Sequence, residues 1–253
     1  MKPFGGDFDY DAHGADYSVA RRPDERIAAR IHAALGDART VLNVGAGAGS
    51  YEPADRWVLA VEPSRIMRAQ RRPTSAPAIA AYAESLPLDD DAVDAAMASI
   101  TVHQWSDARR GLAELRRVAR GPVVVLTFDG DALPQFWLND YAPEMIAAER
   151  RRFPSISEIA QALGSRATVE ALPVPIDCSD GFIEAFYARP EALLQAAVRR
   201  GQSAWGFVSD EAIAAFEARL KADLTSGVWD ARYGDWRRRP HYDGALRLVT
   251  GWP

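Results

Sequence analysis

The sequence predicts an α/β protein built on a doubly wound, mostly parallel sheet. Short apolar runs rich in β-branched residues alternate with amphipathic helical segments, which is the pattern of strands joined by right-handed helical crossovers. Residues 123–126 are continuously apolar, as expected for a strand that is covered on both faces. The first of these runs ends at a cluster of glycines, where a parallel strand commonly meets a ligand.

The predicted elements of the first half follow from periodicity and from the residues at their ends. Residues 23–35 form a helix because Ile27 and Ile31 share a face, with Pro23 at the start and Gly36 at the stop. Helices also begin near Ser64 and at residues 106–107. Strands are predicted at residues 40–44, 57–62, 77–82, 92–98 and 123–127.

The second half is predicted to be mainly helical. Residues 133–163 are aromatic and helical, and residues 168–176 alternate loosely around two prolines, as in an edge strand. Helices are expected at residues 180–200 and 209–226, and a final strand at residues 245–250. We interpret the chain as one domain, with an arm (1–22), a core (23–130), a helical cap over the carboxyl edge of the sheet (133–242) and the last strand (245–250).

Composition limits the functional classes. The chain is 48% hydrophobic and 26% charged, which is typical of a globular protein, and no apolar run reaches the roughly 18 residues of a membrane span. The single cysteine, Cys178, cannot form an internal disulfide or a multi-cysteine zinc site. We therefore expect a cytoplasmic protein with no membrane partner and no metal. The net charge of −5 argues against nucleic acid as a partner.

The glycine cluster is a ligand-binding signal. Gly45, Gly47 and Gly49 follow a predicted strand directly, so the backbone can turn tightly and approach a ligand where a Cβ would clash. The spacing is G-x-G-x-G. A dinucleotide fingerprint would instead have its third glycine at the position of Ser50.

Glu62 ends the second predicted strand, beside the glycine loop in a parallel sheet. A carboxylate at this position can accept hydrogen bonds from both hydroxyls of a ribose. The alternative is that Glu62 only caps the helix that begins near Ser64.

Together these residues resemble the class I S-adenosylmethionine-dependent methyltransferases, in particular the broad small-molecule group called type 11. The resemblance covers about residues 17–129 and consists of ordered motifs at residues 41–50, 61–67, 83–94, 99–105 and 112–127. It implies a Rossmann-like sheet whose last strand is antiparallel, S-adenosylmethionine as the cofactor, and methyl transfer to an oxygen or nitrogen atom of a small-molecule acceptor. The acceptor itself is not specified by the motifs.

The resemblance also assigns residues to parts of the cofactor. The methionine part would meet Gly45, Ala46 and Gly47, the ribose would meet Glu62, and Asn43 would make a polar contact to the cofactor. The adenine would lie among Pro63, Ser64, Met67, Ala83 and Glu84, and the transferable methyl near Ser99 and Ile100. Tyr17 and Arg22 resemble an arm that covers the cofactor; the alternative for both is arm packing and a solvated charge.

Three positions depart from the family pattern. Asn43 stands where the family commonly has an acid, and Tyr82 replaces the acid usual before Ala83. The few residues between Gly49 and Trp57 leave room only for a very short first helix.

His103 is the candidate general base, because it follows the fourth predicted strand, where the motif places the methyl group. The alternative for His103 is a packing or helix-cap histidine. For the whole chain, the alternatives are an RNA or protein methyltransferase and a cofactor-binding homologue that does not methylate. A nicotinamide- or flavin-dependent oxidoreductase would require the G-x-G-x-x-G spacing.

Overall fold

The computed structural model describes residues 7–14 and 17–252, so residues 1–6 and 15–16 of the predicted arm, and Pro253, lie outside the described residues. In the described part, one sheet has the strand order β3-β2-β1-β4-β5-β9-β6, and β7 and β8 form a separate two-stranded antiparallel sheet. The strands are β1 Thr40–Val44, β2 Trp57–Val61, β3 Ala78–Ile79, β4 Ala95–Ser99, β5 Val123–Phe128, β6 Thr168–Ala171, β7 Val174–Pro175, β8 His241–Tyr242 and β9 Leu246–Gly251.

The predicted fold class is confirmed by the pairing of the strands. β1 to β5 are mutually parallel, and β9 runs antiparallel to β5 and to β6. The predicted strands lie within a few residues of those observed, and 40–44 agrees with β1 at both ends. The reversal of strand order between β1 and β4 opens a crevice at their carboxyl ends, where ligands bind in sheets of this kind.

Helices cover the faces of the sheet and one of its ends. They are α1 Tyr10–His13, α2 Tyr17–Ala20, α3 Glu25–Ala34, α4 Arg65–Ala69, α5 Ala108–Val118, α6 Pro143–Arg152, α7 Ile156–Leu163, α8 Ala196–Arg200, α9 Asp210–Ser226 and α10 Val228–Tyr233. No helix within residues 7–14 and 17–252 is long and apolar enough to cross a membrane.

Side chains that alternate along the strands divide the core into two layers. Val41, Met97 and Leu126 point to the face covered by α3 and by the segment after β5. The opposite face, which carries Leu42 and Val125, packs against α5 and α7. Both faces of the central strands are therefore buried, which explains their continuous apolar runs.

Three predictions about helices were wrong. Residues 45–56 form turns with no α-helix, because three glycines with positive φ and Pro53 leave no helical stretch to propagate. Residues 180–200 are two 3-10 turns followed by α8, since Pro190 interrupts the backbone hydrogen bonds. The helix predicted from Pro23 begins at Glu25, because Asp24 caps it by accepting from the Arg26 N–H.

Glu184, in the 3-10 turn Ile183–Phe186 after β7, connects this turn to the residue before the last strand. Its carboxylate is fully buried, and both oxygens accept from the Ala245 N–H at 2.9 and 3.0 Å. Burial raises the pKa of Glu184 to about 7, although the hydrogen bond from Ala245 opposes the shift. The folded chain therefore holds a proton at this carboxyl group at pH values where the unfolded chain has lost it.

We predict that this carboxyl group makes the fold less stable as pH rises. Because the folded pKa is raised, stability is greatest below the unfolded value near 4.5 and falls as pH approaches about 7. The variant Glu184→Gln should show a shallower loss of melting temperature between pH 5 and pH 8. The exposed control Glu144→Gln should keep the slope of the unmodified chain. Parallel slopes for all three proteins would contradict the prediction.

Candidate functional site

A cleft lies at the carboxyl ends of β1, β2 and β4. Its empty volume, with the open mouth included, is about 1000 Å³, the upper end of the range for small-ligand sites. Of the residues predicted to bind the cofactor, all except Arg22 line this cleft: Tyr17, Asn43, Gly45, Ala46, Gly47, Glu62, Pro63, Ser64, Met67, Ala83, Glu84, Ser99 and Ile100. The structure thus brings together residues from separate segments of the chain.

The glycine loop forms one wall. Gly45, Gly47 and Gly49 have φ values of +65°, +51° and +94°, which favour glycine. A Cβ at Gly45 would lie 2.1 Å from Thr101 Oγ1, so this glycine is also required by close packing against the residue after Ile100. The loop is tied to β2 by the Ala46 N–H, which donates to the carbonyl of Val61 at 3.0 Å.

Glu62 joins the glycine loop to α4. Its side chain is buried, Oε2 accepts from the Gly47 N–H at 2.8 Å, and Oε1 accepts from the Ser64 N–H at 2.8 Å. Burial raises the pKa of Glu62, and these two hydrogen bonds oppose the shift. Each oxygen retains a further lone pair. Ser64 itself caps α4 by accepting from the Met67 N–H, so Glu62 is not needed as the helix cap.

Asn43 lies at the end of β1 and is 1% exposed. Its Nδ2 donates to Glu52 Oε1 at 3.0 Å, and Glu52 accepts two hydrogen bonds from Arg71, both at 2.8 Å. Asn43 Oδ1 has no hydrogen-bond partner within the described residues. An unpartnered, buried acceptor in the wall of a cleft indicates a ligand that donates a hydrogen bond.

The N-terminal arm closes part of the cleft. Phe8, Tyr10 and Asp11 line it together with Tyr17, and the sequence analysis did not identify Phe8 or Asp11. Asp11 accepts from Ser64 Oγ at 2.6 Å and from the Ile66 N–H at 3.1 Å, which docks the arm on the start of α4. The bond from Ser64 is the main cause of the lowered pKa of Asp11.

Arg21 turns inward, whereas Arg22 is exposed and does not line the cleft. The Arg21 guanidinium donates to Asp180 at 2.6 Å and to the Tyr17 hydroxyl at 3.0 Å, and the Tyr51 hydroxyl donates to Asp180 at 2.7 Å. The prediction of Arg22 is corrected by this arrangement.

The residues after β3 form the opposite side. Tyr82, Ala83 and Glu84 line the cleft, but Glu84 Oε1 already accepts from Ser106 Oγ at 2.7 Å and from the Asp107 N–H at 3.1 Å. Glu84 therefore also supports the start of α5.

The residues that follow β4 line the far end of the cleft. Ile100 has a φ of +52°, an uncommon conformation for a β-branched residue, and Thr101 and Gln104 continue the lining. Gln104 is 8% exposed, its Nε2 donates to Ser203 Oγ at 3.5 Å, and its Oε1 has no partner among the residues the structure covers. Sequence reasoning did not identify Gln104.

His103 lies outside the cleft. It belongs to the 3-10 turn Val102–Gln104, whose successive side chains point about 120° apart, so Gln104 lines the cleft while His103 turns away. The His103 ring packs on Phe153 at 4.5 Å between centroids and lines a separate depression beside Arg152. Burial, with help from Arg152, lowers the pKa of His103 well below 6.5, so the ring is neutral. This placement gives no support for His103 as the base.

Comparison with known proteins identifies the family. Residues 42–127 match the family model described as a methyltransferase domain. A crystal structure of a putative methyltransferase from an antibiotic biosynthesis pathway of Anabaena variabilis is 31% identical, with a TM-score of 0.85 over 92% of this chain and 98% of that one. The chain belongs to the class I S-adenosylmethionine-dependent methyltransferases. Its cofactor is S-adenosylmethionine.

Two more distant structures share the fold of this methyltransferase. A Thermotoga maritima protein, described as a possible histamine N-methyltransferase, is 16% identical with a TM-score of 0.57, over 96% of this chain and 97% of that one. The geranyl diphosphate C-methyltransferase of Streptomyces coelicolor, in complex with Mg²⁺, geranyl diphosphate and S-adenosylhomocysteine, is 15% identical with a TM-score of 0.52, over 89% and 78% of the two chains. A search of curated protein sequences gave no match.

We predict that Gly45→Ala disrupts the loop beyond the effect of backbone strain. Gly36→Ala is the matched control, because Gly36 has a φ of +58° with nothing within 4 Å of an added Cβ. Both variants carry a strain of about 1 kcal/mol, but only the first forces the loop away from Thr101. Binding of S-adenosylhomocysteine should therefore weaken at least about tenfold in Gly45→Ala alone, as measured by calorimetry. Equal affinities in the two variants would contradict this explanation.

Proposed function

We propose that this methyltransferase transfers the methyl group of S-adenosylmethionine to an oxygen or nitrogen atom of a small organic acceptor. The proposal depends on one observation. Glu62 and the glycine loop line one part of the cleft, and Gln104, whose buried amide oxygen has no hydrogen-bond partner among the described residues, lines another part of the same cleft. A cofactor and a hydrogen-bond-donating acceptor can therefore be held next to each other.

The residues present fit the cofactor. The glycine backbone and Asn43 Oδ1 offer a close surface and an acceptor to the methionine part, and the free lone pairs of Glu62 suit the ribose hydroxyls. We propose that the adenine lies against an apolar surface with polar edges, which is formed by Pro63, Ser64, Met67, Ala83 and Glu84. Ser99, Ile100 and Tyr17 complete the enclosure, and Arg21, rather than Arg22, orients Tyr17.

When bound, S-adenosylmethionine supplies an electrophilic methyl group on a positively charged sulfur. The chain's contribution is to hold the acceptor atom in line at near-contact distance, which removes much of the entropic part of the barrier. Phe8, Tyr10 and Tyr17 of the arm also exclude water, a competing acceptor, from the cleft. Burial raises the pKa of Tyr10 above its usual range, so its hydroxyl remains protonated and neutral.

Gln104 supports an acceptor with an O–H or N–H group. Its Oε1 can accept that hydrogen and so orient the acceptor, while Ser203 holds its Nε2. Because Ser203 belongs to the segment 133–242, we assign this segment to the acceptor side and residues 23–130 to the cofactor side of one domain. The buried Cys178, an unpaired thiol, is consistent with action in the reducing cytoplasm, which we include in the proposal.

The charges of the cleft favour a neutral or cationic acceptor. Within residues 7–14 and 17–252, the charged residues in its lining are Asp11, Glu62 and Glu84, with no lysine or arginine among them. A phosphate-rich substrate such as RNA would meet repulsion there. The similarity to a putative methyltransferase from an antibiotic biosynthesis pathway also supports a small organic acceptor.

We predict that Glu62→Gln weakens cofactor binding. The amide would turn an NH₂ group toward the N–H of Gly47 or Ser64 and would remove the charge that accepts from the ribose. The dissociation constant for S-adenosylhomocysteine should rise about 10- to 100-fold in calorimetry. Glu114→Gln is the control, because Glu114 pairs with Arg117 outside the cleft. Unchanged affinity in Glu62→Gln would overturn this part of the proposal.

The acceptor assignment is tested by a screen followed by one variant. The chain and S-adenosylmethionine are incubated with a panel of phenols, amines and carboxylic acids, and methylated products are identified by mass spectrometry. For the best acceptor, Gln104→Leu should lower kcat/KM at least about tenfold, since it removes the acceptor-facing oxygen, and should leave the affinity for S-adenosylhomocysteine unchanged. Products methylated at carbon, or methylation confined to RNA or protein, would contradict the proposal.

A further inference from the structure

Behind the glycine loop lies a polar cluster formed by Asn43, Glu52 and Arg71 that the proposed function leaves unexplained. We propose that Glu52 and Arg71 are positioning residues, which fix the Asn43 amide so that its oxygen, and not its NH₂ group, faces the ammonium group of the cofactor's methionine part. The inference rests on the proposed placement of the cofactor. It assigns roles to two residues outside the lining of the cleft.

The direction of the Asn43 amide follows from its partner. An ionised carboxylate accepts hydrogen bonds and donates none, so the Asn43 atom 3.0 Å from Glu52 Oε1 is the nitrogen. Oδ1 must then point elsewhere, and it is the atom left without a partner in the described structure. Because Asn43 is buried and lines the cleft, a donor on the ligand would satisfy that oxygen.

Glu52 is itself held in one orientation. Arg71 donates to both of its oxygens at 2.8 Å, and the two side chains are only 9% and 5% exposed. Arg71 also donates through Nε to the Ala76 carbonyl at 2.9 Å. Both distances to Glu52 are from Arg71 Nη2, and this charged contact between buried groups restrains the carboxylate beside Asn43.

The third glycine of the loop is explained by the same pair. A Cβ at Gly49 would lie 3.1 Å from Glu52 Oε2 and 3.3 Å from Arg71 Nη1, and its φ is +94°. A side chain at position 49 would therefore crowd the ion pair, and Gly49 is absent from the cleft lining. Glu52 lies in the connection between β1 and β2, which contains turns and no helix, and Arg71 follows α4.

Which atom of the Asn43 amide faces the ligand, the oxygen or the nitrogen, is expected to affect the binding of only the amino-acid part of the cofactor. An ammonium group carries three N–H donors and is attracted by an amide oxygen, whereas an NH₂ group would repel it. 5′-Methylthioadenosine has the adenine, the ribose and the thioether of S-adenosylhomocysteine but no amino-acid group. Comparing the two ligands therefore isolates the contact that Glu52 and Arg71 are proposed to set.

The variant Glu52→Gln tests the proposal. The Glu52 carboxylate accepts from Arg71 at both oxygens and from Asn43 at Oε1, whereas the introduced amide has one oxygen and cannot keep all three hydrogen bonds. The Asn43 amide is then no longer fixed with its oxygen toward the ligand. Calorimetry should show an affinity for S-adenosylhomocysteine at least about tenfold weaker, with the affinity for 5′-methylthioadenosine changed less than about twofold. The control Glu114→Gln removes a carboxylate that also pairs with an arginine but touches neither Asn43 nor the cleft, and it should alter neither affinity.

Asn43→Leu provides a second route to the same answer, should Glu52→Gln fold poorly. It should give the same ligand-selective loss, and adding Glu52→Gln to it should cause no further loss, because Glu52 acts through Asn43. Equal weakening of both ligands by either variant would overturn the inference, as would no change in either. An unmodified chain that binds neither ligand would overturn the cofactor placement itself, and this inference with it.

Discussion

The buried carboxylate of Glu62 holds the centre of the cleft together. It accepts one backbone N–H from the loop after β1 and one from the start of α4, and so it fixes two segments that are adjacent only through the sheet. Burying a carboxylate is costly, as the raised pKa of Glu62 shows, and the two N–H groups offset part of that cost. The backbone of the glycines is intrinsically free, so this group, with the hydrogen bond from Ala46 to Val61, favours one conformation of the loop.

The rest of the site depends on buried charges that join distant parts of the chain. The ion pair of Arg21 and Asp180 connects the arm to the segment after β7, and the Tyr51 hydroxyl brings the end of the glycine loop into the same network. Removing one partner of such a pair is expected to be strongly destabilising, because it leaves a buried charge uncompensated. The enclosure of the cleft is therefore coupled to the folding of three separate segments.

Local signals predicted the strands and turns around the glycine loop well. The strand ending at Val44, the glycines with positive φ and the cap at Ser64 each follow from short-range chemistry, and the structure has all of them in the predicted places. The errors have a common physical origin. The inward direction of the Arg21 side chain depends on Asp180, more than a hundred residues away in the sequence. No residue close to Arg21 in the sequence indicates this direction.

The segment after β4 shows the same difference between short-range signals and contacts that are distant in sequence. Sequence reasoning could place residues 102–104 at the tip of the strand but could not tell which side chain enters the cleft. That depends on the 3-10 geometry of the turn and on the aromatic ring of Phe153, which His103 packs against. The acceptor end of a methyltransferase is built from such non-local contacts, so family membership alone does not specify the acceptor.

The distribution of charge in the cleft also bears on how the reaction proceeds. Methyl transfer removes the positive charge of the sulfonium, so a carboxylate close to the sulfur would stabilise the reactant more than the transition state and slow the step. In the proposed placement, Glu62 and Glu84 face the ribose and adenine, whose charge does not change. The residues proposed to lie near the methyl group, Ser99 and Ile100, are uncharged. The acidic groups therefore bind the cofactor through parts that do not react, and their binding energy is not lost when the sulfonium becomes a neutral thioether.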